Sequence, residues 1–151
     1  MRSGTINVPG IAGLGLAAKE VYANLDERNV YISSIKDYII DESEKLDGVT
    51  VSSQRGSLAA PHVVSISVEG VRAEVLLHAL EDKGICVSSG SACSTHHPGI
   101  SGTLKGIRLS EKLLDSTIRI SLCDTNTKEE AEYFIETLKT LIPQLRKFTR
   151  K

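Results

Sequence analysis

Apolar positions in the first part of the chain recur at three- and four-residue steps, the spacing of one helix face. Ile11, Leu14, Ala18, Val21, Tyr22 and Leu25 form one such run. It predicts a helix starting near Pro9, since proline is tolerated in a first turn where its missing N–H had no partner, with Asn7 as N-cap. Asn24-Leu25-Asp26 reads as a break or bend. A second run through Ile32, Ile35, Ile39 and Leu46 ends at Gly48. The opposite face is polar, so this segment is expected to lie on something larger.

Beyond Gly48 the period shortens to two. A short strand is predicted over residues 49–52, then turn-rich residues 53–57, then a strand over 62–68. Val64, Ile66 and Val68 share one face of that strand, and Val63, Ser65 and Ser67 share the other. A helix over 71–83 turns Val71, Val75, Leu76, Ala79 and Leu80 inward, and Gly84 stops it. Residues 85–88 predict a brief strand that opens into a loop of small residues. A short helix over 110–114 leads to a strand over 117–122. There Ile118, Ile120 and Leu122 oppose Thr117, Arg119 and Ser121.

The last helix is the best marked. Thr127 and Glu130 have capping-box spacing, and Ala131, Phe134, Ile135, Leu138, Leu141, Ile142 and Leu145 form its stripe. Pro143 predicts a kink or an early end. The order predicts an α/β layer of the α+β kind, a mixed sheet of short strands with helices on one face. The second face, with Ser65, Ser67, Arg119 and Ser121, is left to solvent or to a cleft.

Composition adds mainly exclusions. The 151 residues are 40% hydrophobic and 25% charged, ordinary for one globular domain. Eighteen basic against nineteen acidic residues give a net charge of -1. That leaves no basic field for nucleic acid, and the tail from Arg146 to Lys151 reads as a helix end in solvent. No apolar run reaches the roughly 20 residues that span a bilayer. The start lacks a signal-peptide pattern, so a cytoplasmic location is expected. Cys86, Cys93 and Cys123 fit free thiols better than a disulfide framework.

The stretch Ser88-Ser89-Gly90-Ser91-Ala92-Cys93-Ser94-Thr95-His96-His97-Pro98-Gly99 carries the chemistry. Small residues around a thiol leave room for a reactant, and neighbouring imidazoles can favour thiolate. Two other readings stay open: a Ser/Gly turn with an incidental cysteine, or a metal site of Cys93, His96 and His97. Against the metal, adjacent histidines in an extended segment point to opposite sides, and structural zinc wants four ligands from spaced pairs.

The run from Ser88 to Ser94 resembles the active-site loop of cysteine desulfurases, class V aminotransferase-like enzymes of the pyridoxal-phosphate (PLP) fold type I. Four further segments are similar to that family in the same order. They are Arg2-Ser3-Gly4-Thr5-Ile6-Asn7-Val8-Pro9, Val68-Glu69-Gly70-Val71 with its helix, Ser94 through Lys105, and Ser116-Thr117-Ile118-Arg119-Ile120-Ser121. The resemblance covers essentially the whole chain.

It implies that residues 48–151 form the small C-terminal domain, with the active-site loop at 88–105, and that residues 1–47 are a helical arm from the end of the large domain. Cys93 would be catalytic, taking the sulfur of L-cysteine as a persulfide and leaving L-alanine. Its loop would then deliver that sulfur to an acceptor protein for iron–sulfur cluster or thio-cofactor assembly. Arg119 would grip the substrate carboxylate with a bidentate fork. Thr5, with Arg2, would hold the phosphate of the PLP bound by the other protomer, implying a homodimer. Alone, Arg119 reads as a surface strand residue and Gly4-Thr5 as a turn into a helix.

The chain also departs from the pattern. Cys123-Asp124 stands where relatives often have glycine or serine, and Cys123 is expected to pack. Cys86 is expected in the core. His96 and His97 are expected to shape the loop, and His62 and His78 to be structural or surface residues. The lysine that holds PLP, the acidic partner of its ring nitrogen and the ring stacked on it lie in the family's large domain. The sequence opens in mid-motif at Met1-Arg2-Ser3-Gly4, so the expectation is a C-terminal fragment that neither binds PLP nor acts alone. The rivals are a stand-alone sulfur-relay or protein-interaction module, and a metal- or redox-sensing domain using Cys93, His96 and His97.

Overall fold

The computed structural model describes residues 4–56, 59–89 and 101–148. Among the described residues ten elements follow one another: α1 (Val8–Ala23), α2 (Leu25–Ser43), β1 (Val49–Val51), β2 (Val63–Val68), α3 (Ala73–Glu81), β3 (Ser88–Ser89), α4 (Gly102–Gly106), α5 (Glu111–Leu114), β4 (Thr117–Ser121) and α6 (Lys128–Arg146). The α/β class is the expected one, but the sheet is not mixed. In its order β1-β2-β4-β3 each adjacent pair is antiparallel. β4 inserts between β2 and β3, an arrangement that local periodicity cannot announce.

One face of this sheet makes the core. Val64, Ile66 and Val68 of β2 and Ile118 and Ile120 of β4 pack under Ile35, Ile39 and Ile40 of α2, Leu76 and Leu80 of α3, and Phe134, Ile135, Leu138 and Ile142 of α6. Val75 is 45% exposed rather than inward. α3 spans only nine residues and meets the core through Ala73, Leu76 and Leu80, so a neighbouring position falls on its outer side.

α1 starts where the sequence predicted, with Asn7 accepting from the Gly10 N–H. It buries none of its residues, and Ile11, Leu14 and Tyr22 are 58%, 71% and 72% exposed. The helices divide at Asn24. The beginning of α2 is tied to the turn before α6, through Arg28–Asp124 at 2.9 Å and the Tyr31 hydroxyl donating to the Asn126 carbonyl at 2.8 Å.

The capping box of α6 is made as predicted. The Glu130 N–H donates to Thr127 Oγ1 at 3.3 Å, and the Thr127 N–H to Glu130 Oε2 at 3.1 Å. Pro143 does not end the element, which runs on to Arg146. Proline costs the helix one hydrogen bond, while Leu141 and Ile142 beside it stay buried in the core and hold the backbone in place. Arg146 is no solvated tail residue either. Its guanidinium donates to the Glu69 carbonyl at 3.0 Å, the Asp47 carbonyl at 2.7 Å and the Asp47 carboxylate at 3.1 Å.

α3 and the unanticipated α4 end alike, and the comparison yields a prediction. After α3, the Ile85 N–H reaches the Leu80 carbonyl and the Gly84 N–H the Glu81 carbonyl, with Gly84 at φ +77. After α4, Leu109 reaches Leu104 and Arg108 reaches Lys105, but the left-handed position is Arg108 at φ 58. A side chain there crowds its own backbone, which glycine avoids. Arg108→Gly is therefore expected to stabilise the protein by about 1 kcal/mol in urea denaturation. A loss of stability would refute the strain.

Candidate functional site

The sheet's second face carries Arg119, the described residue that the sequence singled out for substrate binding, and β4 is its centre. Burial alternates along β4, with Ile118 and Ile120 in the core and Arg119 and Ser121 exposed. Because β4 lies between two strands, Arg119 has an in-register neighbour on each side, Ser65 of β2 and Ser88 of β3. Directly opposite residues stand roughly 5 Å apart at Cβ, and two such small side chains leave the guanidinium uncovered. Among the described residues Arg28, Arg55, Arg72 and Arg146 each hold a carboxylate, whereas Arg108 and Arg119 hold none. An uncommitted guanidinium is a planar fork suited to a carboxylate.

The next pair along the face is closed. Ser67 and Thr117 are buried, their hydroxyls 2.7 Å apart, and Thr117 gives its proton to the Leu113 carbonyl at 2.7 Å. Thr117 has one proton, so Ser67 is the donor between them. α5 thus covers one end of the face and leaves Arg119 open.

Cys93, Arg2, His96 and His97 lie outside the described residues. Ser88, beside Arg119, precedes Cys93 by five positions in the sequence. Thr5 is described and exposed ahead of α1, and no hydrogen bond or ion pair joins it to the sheet.

Two cysteine expectations are corrected. Cys86 is exposed, because β3 is shorter than predicted and residues 85–87 run outside the ladder. It lines a cavity of about 380 Å³ with Ile39, Ile120, Leu122 and Phe134. Cys123 is also exposed, since β4 ends two residues earlier and the chain turns there. Its sulfur is 3.0 Å from Thr125 Oγ1 and 3.3 Å from Asn126 Oδ1, and the Thr125 hydroxyl leads the contacts that hold its pKa below the usual thiol value. β3 runs antiparallel to β4, so the chain leaves Ser89 toward the Thr117 end of β4, while Cys123 follows the other end. His62 and His78 are at the surface, as expected, and His78 meets Glu81 at 3.2 Å.

Sequence reasoning overlooked Lys36. It is buried at 3% exposure, and its ammonium donates to the Ala60 carbonyl at 2.8 Å. Burial lowers its pKa, with the Arg55 charge adding to that and Asp37 opposing it. The signal was available, because position 36 falls on the inward face between Ile35, Ile39 and Ile40.

A PLP cofactor, which the resemblance implies, needs a lysine facing an enclosed pocket. No lysine lines the cavity at Cys86. Lys36 borders a second cavity of about 530 Å³, but the Ala60 carbonyl holds its ammonium and Asp37 flanks it. Arg119 lines neither. Of the described residues, none is a lysine with a free ammonium lining either cavity. Nor do they include a cluster of three or more histidine, cysteine or acidic side chains able to hold a metal ion. No helix among them is long and apolar enough to cross a membrane.

Comparison with known proteins agrees with this architecture. A "NifS/IcsS protein homolog" of Lactobacillus delbrueckii subsp. bulgaricus is 33% identical over 89% of this chain and 35% of its own length. A "Cysteine desulfurase IscS" of Anaeromyxobacter sp. (strain K) is 36% identical over 98% of this chain and 36% of its own. A solved NifS-like protein from Rickettsia africae superposes with a TM-score of 0.78 at 31% identity, covering 95% of this chain and 36% of that one. The chain thus spans about 36% of the length of such relatives. The aminotransferase class-V family model matches residues 1–134, and the chain belongs to that family.

Proposed function

We propose that this chain is the cysteine-bearing C-terminal part of a cysteine desulfurase. The single observation that carries the reading is the uncommitted Arg119, whose neighbour Ser88 opens the Ser88–Ser94 run. In the reaction the Cys93 thiol takes the sulfur of L-cysteine. A sulfur–sulfur bond forms, the carbon–sulfur bond breaks, and the substrate carbon gains a proton, giving L-alanine and a Cys93 persulfide. Arg119 holds the carboxylate through paired N–H donors, which fixes the amino acid's direction. Thr5 serves the phosphate of the other protomer's cofactor, so it need not meet Arg119 within one chain.

Class V enzymes of this kind use PLP, whose electron-withdrawing ring weakens substrate bonds when bound. Its seat is assigned here to the rest of the class V fold, and residues 1–47 to an arm that leads from it. The exposed apolar side chains of α1 support that division. The persulfide then passes to an acceptor protein for iron–sulfur cluster or thio-cofactor assembly in the cytoplasm.

Incubation with an active desulfurase and cysteine, read by intact mass, tests the thiol. One sulfur atom should be gained by the wild type and none by Cys93→Ser. A gain that persists in Cys93→Ser, carried by Cys86 or Cys123, would overturn the assignment. With PLP and cysteine alone, the chain should release no alanine.

A further inference from the structure

Arg108 stands where the backbone prefers glycine. Among the described residues it is the one non-glycine at positive φ, in the position that Gly84 takes after α3. A left-handed backbone under a side chain costs stability, and strain of that kind points to a use for the side chain. Within the fold there is none, because Arg108 is exposed and no hydrogen bond or ion pair engages its guanidinium. Lys105 and Lys112 are in the same state, both exposed and neither paired with an acid. Residues 101–114 hold these three cations against one acid, Glu111, an excess of two positive charges in a chain of net charge -1. The next acid, Asp115, is taken up by Arg72 at 3.1 Å.

The run is anchored from beneath. Leu104 is buried, the Leu109 N–H returns to the Leu104 carbonyl, and the Leu113 carbonyl accepts from the Thr117 hydroxyl of β4. Ile107, 53% exposed, lies between Lys105 and Arg108. An apolar side chain among cations on a fixed support is the make-up of a protein contact.

We propose that Lys105, Arg108 and Lys112, around Ile107, form the docking surface for the sulfur-accepting protein, and that this partner presents an acidic face. The inference rests on the reading of Cys93 above and deepens it by giving the acceptor a charge. Lys105 follows Cys93 by twelve positions, so a protein seated on α4 is held beside the chain that leads from the thiol. Opposite charges speed such an encounter and are screened by salt.

The test uses the whole chain with an oligoglutamate peptide ending in cysteine, an oligoglutamine peptide of the same length, and oligothymidylate. In NMR titrations the amides of residues 104–112 should shift with oligoglutamate and not with oligoglutamine, and added salt should weaken the response. Arg108→Gly removes the charge at a position where glycine fits the backbone, so it stays folded. It should weaken binding by about fivefold, what one exposed charge pair contributes. Arg108→Lys should stay within about twofold of the wild type, and Lys83→Ala, which removes an exposed cation outside the run, should bind like it. After Cys93 is loaded by an active desulfurase, the peptide thiolate attacks the outer sulfur of the persulfide. A new sulfur–sulfur bond forms as the old one breaks, and Cys93 leaves as thiolate. That transfer should be faster to oligoglutamate than to oligoglutamine, and Arg108→Gly should narrow the difference. An Arg108→Gly variant that binds like the wild type, or shifts confined to other parts of the chain, would overturn the docking surface and leave Cys93 standing. An equal response to oligothymidylate would overturn the acidic protein in favour of nucleic acid. Failure of Cys93 to take up sulfur would overturn the Cys93 reading and the acceptor with it.

Discussion

Leu138→Ala is expected to lose about 3–5 kcal/mol, a large part of the roughly 5–15 kcal/mol that holds a domain of this size together. Leu138 has no exposed surface, and it sits in the middle of α6, the helix that packs against both α2 and α3. Truncation removes the transfer energy of the side chain and leaves a hole that helices on either side cannot close without dragging the sheet. Val75→Ala removes a side chain that is 45% exposed and should change stability by less than about 0.5 kcal/mol. Urea denaturation of the two variants checks the contrast. Equal midpoints would mean that α6 does not cover the sheet as described.

Arg146→Met should lose about 2–3 kcal/mol, far more than a surface ion pair would. Two of its hydrogen bonds go to main-chain carbonyls, those of Glu69 and Asp47, which need a donor wherever water is displaced. They tie the end of α6 to turns that leave α2 and β2, at Gly48 with φ 65 and Gly70 with φ 78. A Cβ on Gly48 would strike the Arg146 guanidinium, so the two residues are matched. Lys139, whose ammonium pairs with Glu136 one turn away on the same helix, is the control. Lys139→Ala should cost under about 0.5 kcal/mol. Similar small losses for both in urea would show that the clamp on the Asp47 and Glu69 carbonyls is not made.

Much of the candidate site was legible before any coordinates. The Ser88–Ser94 run pointed to the family that the comparisons show, and alternation put Arg119 on the exposed side of its strand, while Cys93 lies outside the described residues. Alternation reports a face and not a neighbour, however. That Ser65 and Ser88 flank Arg119 follows from β4 lying between β2 and β3, a pairing set by contacts 54 residues apart for one neighbour and 31 for the other. Cys86 and Cys123 were misread as packed for a related reason. Each lies two residues outside the paired part of a strand, Cys86 before β3 and Cys123 after β4, where the sequence pattern extends beyond the ladder.

What the sequence determined by itself is local: the Asn7 and Thr127 caps, the break at Asn24, the two-residue period of β2 and β4, and the stripe of α6. These depend on groups within one or two turns of each other, whose geometry is the same in any fold. Only the tertiary structure decided the strand order, the antiparallel sense of every pair, the burial of Lys36 and the exposure of α1. It also carried α6 past Pro143, where core packing outweighs one missing hydrogen bond. Those outcomes are settled by which apolar faces meet across the chain, a competition that no short window of residues contains.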